Sequence, residues 1–165
     1  SPLALDAEPR RSGALVSPTF SRSGFYRQLD TAQQPAVPFT ALLNGANEWP
    51  TPVTTSGEGF GIFRLEGNSL TFTITYRGLS STAIGAHIHG PSPAAGSASV
   101  LIDLQPYHLG AFGPNGAVSG TLVLSDANKA LVLGGRTYVN IHTDKWPAGE
   151  IRSQITHDDG HGGHR

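Results

Sequence analysis

The sequence predicts an all-β domain, an antiparallel β-sandwich or barrel of about eight strands. Three observations predict it. Leu70, Phe72, Ile74 and Tyr76 alternate with Thr71, Thr73 and Thr75, the period-two pattern of a strand with one face in a core. Short apolar runs of this kind recur along the chain, separated by turn residues. Gly and Pro supply 21 and 12 of the 165 residues, which suits many turns and few helices.

The elements follow in order. Residues 1–37 are rich in Ser, Pro, Ala, Gln and Arg, and prolines at 2, 9, 18 and 35 break any helical period. They read as an extended arm preceding a domain over 38–155. Phe39–Leu43 is an apolar run stopped by the turn pair Asn44-Gly45. Gly59–Leu65 and Leu70–Tyr76 flank Glu66-Gly67-Asn68-Ser69 and predict a hairpin. Further strands are expected at Ile84–His89, Ser99–Leu104, Val118–Leu124, Thr137–His142 and Glu150–Ile155. Ser125–Leu133 is the one helical candidate, with Ser125 able to cap it and Gly134 able to end it. Residues 156–165 form a Gly- and His-rich tail.

Composition excludes several classes of function. There is no cysteine, which removes disulfide scaffolds, thiolate zinc sites and thiol enzymes. The formal charge is −1, from 11 Lys+Arg against 12 Asp+Glu, so no electrostatic case arises for nucleic acid. No apolar run is long enough for a transmembrane span. The chain starts at Ser1 and contains no methionine. The expectation is a mature product, secreted or displayed at the cell surface after removal of a signal peptide.

The histidines carry the sharpest chemical signal. In a strand, His87 and His89 project to the same side and Ile88 to the other. In Thr137–His142, Val139 and Ile141 share one face, while Tyr138, Asn140 and His142 share the opposite one. If the apolar sets face the core, His87, His89 and His142 lie together on the outer face. Three imidazoles suit copper, zinc, nickel or iron, with no thiolate to favour a softer ion. The alternative is three strand histidines making ordinary hydrogen bonds. His108, in a loop, is a candidate fourth ligand. Glu48, Asn140, Glu150 and Arg152 are candidates to orient the imidazoles; for the two glutamates, ion pairing with Arg152 or Arg136 competes. His157, His161 and His164 could hold a metal loosely in the tail. No nucleophile elbow, P-loop or His-Glu-x-x-His motif is present.

Phe39-Thr40-Ala41-Leu42-Leu43-Asn44-Gly45-Ala46-Asn47-Glu48-Trp49-Pro50 resembles the opening of a CHRD domain, the module named for chordin. Gly78-Leu79, Ala86-His87-Ile88-His89-Gly90-Pro91, Tyr138-Val139-Asn140-Ile141-His142-Thr143 and Pro147-Ala148-Gly149-Glu150-Ile151-Arg152 follow in the family's order. The resemblance runs from about 39 to 155. It implies a fold similar to the Cu,Zn superoxide dismutase barrel, an eight-stranded Greek-key sandwich, with His87, His89 and His142 at copper-type positions and His108, a tail histidine or water as a fourth ligand. The chain departs from that dismutase in lacking cysteine and a zinc-binding loop after His89. The expected function is therefore an extracellular copper-binding protein, non-enzymatic, with zinc as the alternative metal. A copper oxidoreductase or dismutase is the competing reading. A homo-oligomer or filament is a further expectation, built by strand donation from Gly13–Phe20 or Phe25–Leu29 of the arm.

Overall fold

The computed structural model describes residues 35–160. A unit boundary falls between Pro35 and Ala36. The arm segments Gly13–Phe20 and Phe25–Leu29 lie outside the described residues.

The fold is all-β, as expected. Among the described residues nine strands form one antiparallel sheet: β1 (Val37–Asn44), β2 (Glu58–Glu66), β3 (Ser69–Arg77), β4 (Ala83–His89), β5 (Val100–Asp103), β6 (Gly116–Val123), β7 (Tyr138–Thr143), β8 (Ile151–Gln154) and β9 (Thr156–His157). Their order is β5-β4-β7-β8-β1-β2-β3-β6, with β9 on β1. Pairing β3 with β6 and β4 with β7 makes a Greek-key order. The sheet curls into a half-barrel whose free edges are β5 and β6. Residues 104–109 run between those edges: Leu104 N–H donates to Ala86 on β4, His108 bridges to Val118 on β6, and Leu109 N–H donates to Ala117.

Local chemistry explains the elements. β2 and β3 meet through a two-residue turn, Gly67-Asn68, in which Gly67 takes φ +57°, a conformation open to glycine at no steric cost. Leu70, Phe72, Ile74 and Tyr76 are buried. Their threonine partners face outward, where Thr71 meets Thr121 and Thr73 meets Ser119, each at 2.9 Å between hydroxyl oxygens. Asn44 ends β1 by accepting from Asn47 N–H and so starting a short 3-10 turn. The helix Asp126–Leu133 begins where the sequence places it, with Ser125 Oγ accepting from Asn128 N–H at 3.1 Å. Among the described residues no helix is long and apolar enough to cross a membrane.

Phe39, Leu43, Phe63, Leu65, Ile88, Val139, Ile141 and Ile151 join β3's apolar face in one core. Fully burying each such side chain contributes about 1.5–3 kcal/mol. β7 differs from β2 and β3 in being covered on both faces. Its burial runs through Tyr138, Val139, Asn140 and Ile141 without the expected break. Loops 44–52, 90–99 and 144–149 therefore matter, because they supply the partners of its outer face. The domain also extends past the expected boundary. Thr156 and His157 pair with Thr40 and Phe39 rather than starting a free tail, and Val37 already belongs to β1.

Candidate metal centre

β4 and β7 build the site. Their register sets His87 opposite Asn140, His89 opposite Tyr138, and Gly85 opposite His142. Ile88, Val139 and Ile141 are fully buried in the core, so His87, His89 and His142 project from the other face. One ligand nitrogen from each lies within 4.8 Å of the other two. Three nitrogens around an ion at about 2.0–2.1 Å stand roughly 3.3–4.1 Å apart. Small ring rotations bring this group into that range.

Hydrogen bonding fixes which nitrogens are free. His142 Nδ1 lies 3.0 Å from the Pro147 carbonyl, and His89 Nδ1 lies 3.0 Å from the Ala98 carbonyl. A carbonyl oxygen only accepts, so both Nδ1 atoms carry the proton and both Nε2 atoms are bare. His89 Nε2 is buried with no hydrogen-bond partner. His87 Nδ1 sits 3.0 Å from His142 Nε2. Its own Nε2 faces Asp103 Oδ1 at 3.6 Å. With the His87 proton on Nδ1, that ring donates to His142. With the proton on Nε2, beside Asp103, a third bare nitrogen turns inward. The group then offers His87 Nδ1, His89 Nε2 and His142 Nε2 to one ion, and the partnerless His89 nitrogen acquires a partner. The residues present fit a transition metal held by imidazole.

The electrostatics agree. Burial lowers the His142 pKa to about 4; the Pro147 hydrogen bond opposes this, and the neighbouring His87 and His89 add to it. Burial also lowers that of His89, against the Ala98 hydrogen bond and with help from His87 and Arg152. Both rings stay neutral at pH 7, the state in which imidazole binds metal.

A stacked column holds His89. Its ring lies parallel to Tyr138, centroids 4.8 Å apart and planes 2° apart. The Arg152 guanidinium carbon sits 3.5 Å over the other ring's centroid. Arg152 also donates to the Pro93 and Ala94 carbonyls at 3.3 and 3.2 Å. Tyr138 OH donates to the same Ala98 carbonyl that accepts from His89. Arg152 thus clamps loop 90–99 and backs the ring that backs His89. The alternation of β7 points to Tyr138, since it shares a face with His142. The Ala98 and Pro147 carbonyls leave no signature in the sequence, and Asp103 was not singled out there.

The remaining candidates lie elsewhere. His108 is not brought to the triad: Nε2 pairs with Tyr76 OH at 2.7 Å, Nδ1 with the Gly110 carbonyl at 2.9 Å, and the ring stacks on Phe112. Its backbone runs beside β6, at the opposite edge of the sheet from β4 and β5. Glu48 accepts from Asn140 Nδ2, which also donates to the Ile151 carbonyl at 3.0 Å. Burial raises the Glu48 pKa to about 7, against the Asn140 hydrogen bond and the Arg152 charge. Glu150 accepts from Ser80 N–H, Ser80 Oγ, Thr55 Oγ1 and Thr143 Oγ1. Neither glutamate bonds a triad histidine or forms an ion pair with Arg152 or Arg136; among the described residues they are held by neutral donors. His157 is exposed on β9, edge-on to Phe39 at 5.6 Å. His161 and His164 lie outside the described residues.

A family model, the CHRD domain, matches residues 39–155. The chain belongs to the CHRD family. Comparisons with curated proteins and with solved structures returned no match. Membership supports an extracellular-type β domain. The CHRD match takes in both histidine strands and ends just before β9.

Proposed function

We propose that this CHRD protein is an extracellular, non-enzymatic metal-binding module that holds one copper ion at His87, His89 and His142. The observation that carries this is the buried, partnerless Nε2 of His89, on a ring whose centroid lies 5.6 and 5.9 Å from those of His87 and His142. A bare buried nitrogen costs about 1–3 kcal/mol, and a bound cation turns that cost into a bond. Imidazole-only donation favours copper over zinc by the usual affinity order of divalent ions. His87 Nδ1, His89 Nε2 and His142 Nε2 would be the ligands, and copper would add a redox-active Lewis acid at the sheet's outer face. Arg152 and Tyr138 keep His89 in place, and the Pro147 carbonyl keeps His142 in its binding tautomer.

The test is metal content. Purified apo-protein given one equivalent each of copper and zinc should retain close to one copper per chain. The double variant His87→Ala/His89→Ala should retain none. Full retention by that variant removes the proposal. Assay of the copper-loaded protein for superoxide and oxidase turnover separates a binding module from the competing enzyme, the present reading predicting neither activity. Export is checked by locating the native chain in its source cells, where the reading places it outside the cytoplasm.

A further inference from the structure

A second feature lies on the same outer face but away from the triad. β1 and β8 pair at a single position, Asn44 with Arg152. Beyond it the ladder parts, and Leu42 N–H turns to Ser153 Oγ at 3.1 Å. A groove of about 630 Å³ opens along this seam, within the roughly 300–1,000 Å³ typical of ligand sites. Leu42 lies along its floor at 64% exposure. Loop 44–52 forms one wall and presents the Trp49 indole at 46% exposure; Ala94 and Ala95 of loop 90–99 line it as well. Two buried polar groups also line the groove: Glu48 at 7% exposure and Arg152 at 2%.

These groups form a recognisable set. An exposed indole offers a flat apolar surface that suits the C–H face of a sugar ring. The Arg152 guanidinium, fixed over Tyr138 and on the Pro93 and Ala94 carbonyls, brings a positive charge to the groove that favours an anion such as a carboxylate. Glu48 uses Oε1 for Asn140, and its Oε2, which has no hydrogen-bond partner among the described residues, suits a hydroxyl. Its raised pKa of about 7 reduces the negative charge that would repel an anion. The wall is a single indole beside two small alanines, so it fits a flat ring better than a bulky side chain. The charged groups sit at one end of the seam, where β1 and β8 pair.

We propose that the β1–β8 groove binds an acidic saccharide, with a uronate-type ring on Trp49 and its carboxylate towards Arg152. None of its lining residues is a triad histidine, and the one residue it shares with the metal site, Arg152, is left unchanged in the variants below. The probes are a galacturonate trisaccharide and a neutral trisaccharide of the same linkage, titrated calorimetrically against the full chain. The acidic sugar is expected to bind at least about tenfold more tightly than the neutral one. Trp49→Ala should weaken it by about tenfold or more, and Trp49→Phe by about threefold or less. Leu42→Glu, at an exposed floor position, should abolish it by repulsion without disturbing the core. Copper retention should be unchanged in all three variants. No binding of the acidic sugar overturns the proposal. So does equal binding of the neutral one, or unchanged binding by Trp49→Ala and Leu42→Glu.

Discussion

Replacing Glu150 by alanine should destabilise the CHRD domain more than a change at any surface position. Its side chain is fully buried and accepts four hydrogen bonds, from Thr55 Oγ1 at 2.7 Å, Ser80 N–H at 2.9 Å, Ser80 Oγ at 2.6 Å and Thr143 Oγ1 at 2.9 Å. These join the β7–β8 corner to the loops before β2 and after β3. Burial by itself would push the carboxyl pKa up, but the Ser80, Thr55 and Thr143 bonds outweigh it and hold the pKa below the ordinary value of 4.5. A hydrogen bond to a charged group contributes about 1.5–3 kcal/mol net, and four on one group do not add fully. The expected loss for Glu150→Ala is about 3–5 kcal/mol, as for breaking other buried charged networks. Glu150→Gln keeps the volume but turns an amide donor towards hydroxyls, and should cost about 1–3 kcal/mol. Urea unfolding at pH 7 reads this directly. At a slope of about 1.5 kcal/mol per M, the alanine midpoint falls by roughly 2–3 M. The sign of the pH effect follows from the lowered pKa. The stabilisation is complete above about pH 4.5 and is lost as pH falls through the depressed folded-state value. Glu150→Ala should lack that part of the acid dependence. An alanine variant within about 1 kcal/mol of the parent at pH 7 refutes the assignment of Glu150 as a cross-link.

Other outcomes follow from the same geometry. Glu48 has its folded pKa raised from 4.5 to about 7, so the folded state keeps a proton that the unfolded chain releases. Stability therefore falls as pH rises from 4.5 towards 7, and Glu48→Gln should gain about 1–3 kcal/mol at pH 8 with nothing gained at pH 4. His142 moves the other way, from 6.5 to about 4. The metal-free domain should lose stability as pH falls between those values, and a ring-proton NMR titration should place His142 well below a free imidazole. Copper retention should likewise fall at acid pH, because all three imidazoles must be neutral to bind; full retention at about pH 3 would contradict histidine ligation. Gly149 takes φ +128°, and a Cβ there would approach Asn140 Nδ2 to 2.5 Å and Glu48 Oε1 to 2.8 Å. Gly149→Ala should cost about 2 kcal/mol or more in a thermal melt, through backbone strain and displacement of the Glu48–Asn140 pair.

Much of this was legible in the sequence wherever the information is local. The Leu70–Tyr76 alternation, the Gly67 turn and the Ser125 cap each depend on a few neighbouring residues. The meeting of His87, His89 and His142 was readable for a related reason. A period of two fixes which face each residue takes, and only the adjacency of β4 and β7 had to be supplied. The misses are residues whose partners come from distant loops. His108 lies in a loop, and nothing nearby encodes that its imidazole meets Tyr76 across the sheet. Glu150 could be placed at a strand end, yet its four donors come from segments up to 95 positions away. Arg152 was expected either to help orient an imidazole or to pair with a glutamate. Greek-key pairing instead sets β8 beside β7, so its guanidinium reaches the Tyr138 ring. β9 escaped because a two-residue strand has too little sequence to show a period.

The central claim is that His87, His89 and His142 are the ligands of one copper ion. The most direct measurement is an anomalous difference map at the copper edge from crystals of the copper-loaded protein. A single strong peak is predicted about 2.0–2.1 Å from His87 Nδ1, His89 Nε2 and His142 Nε2. A copper peak on His108 or on the C-terminal histidines, with none at the β4–β7 site, would contradict it.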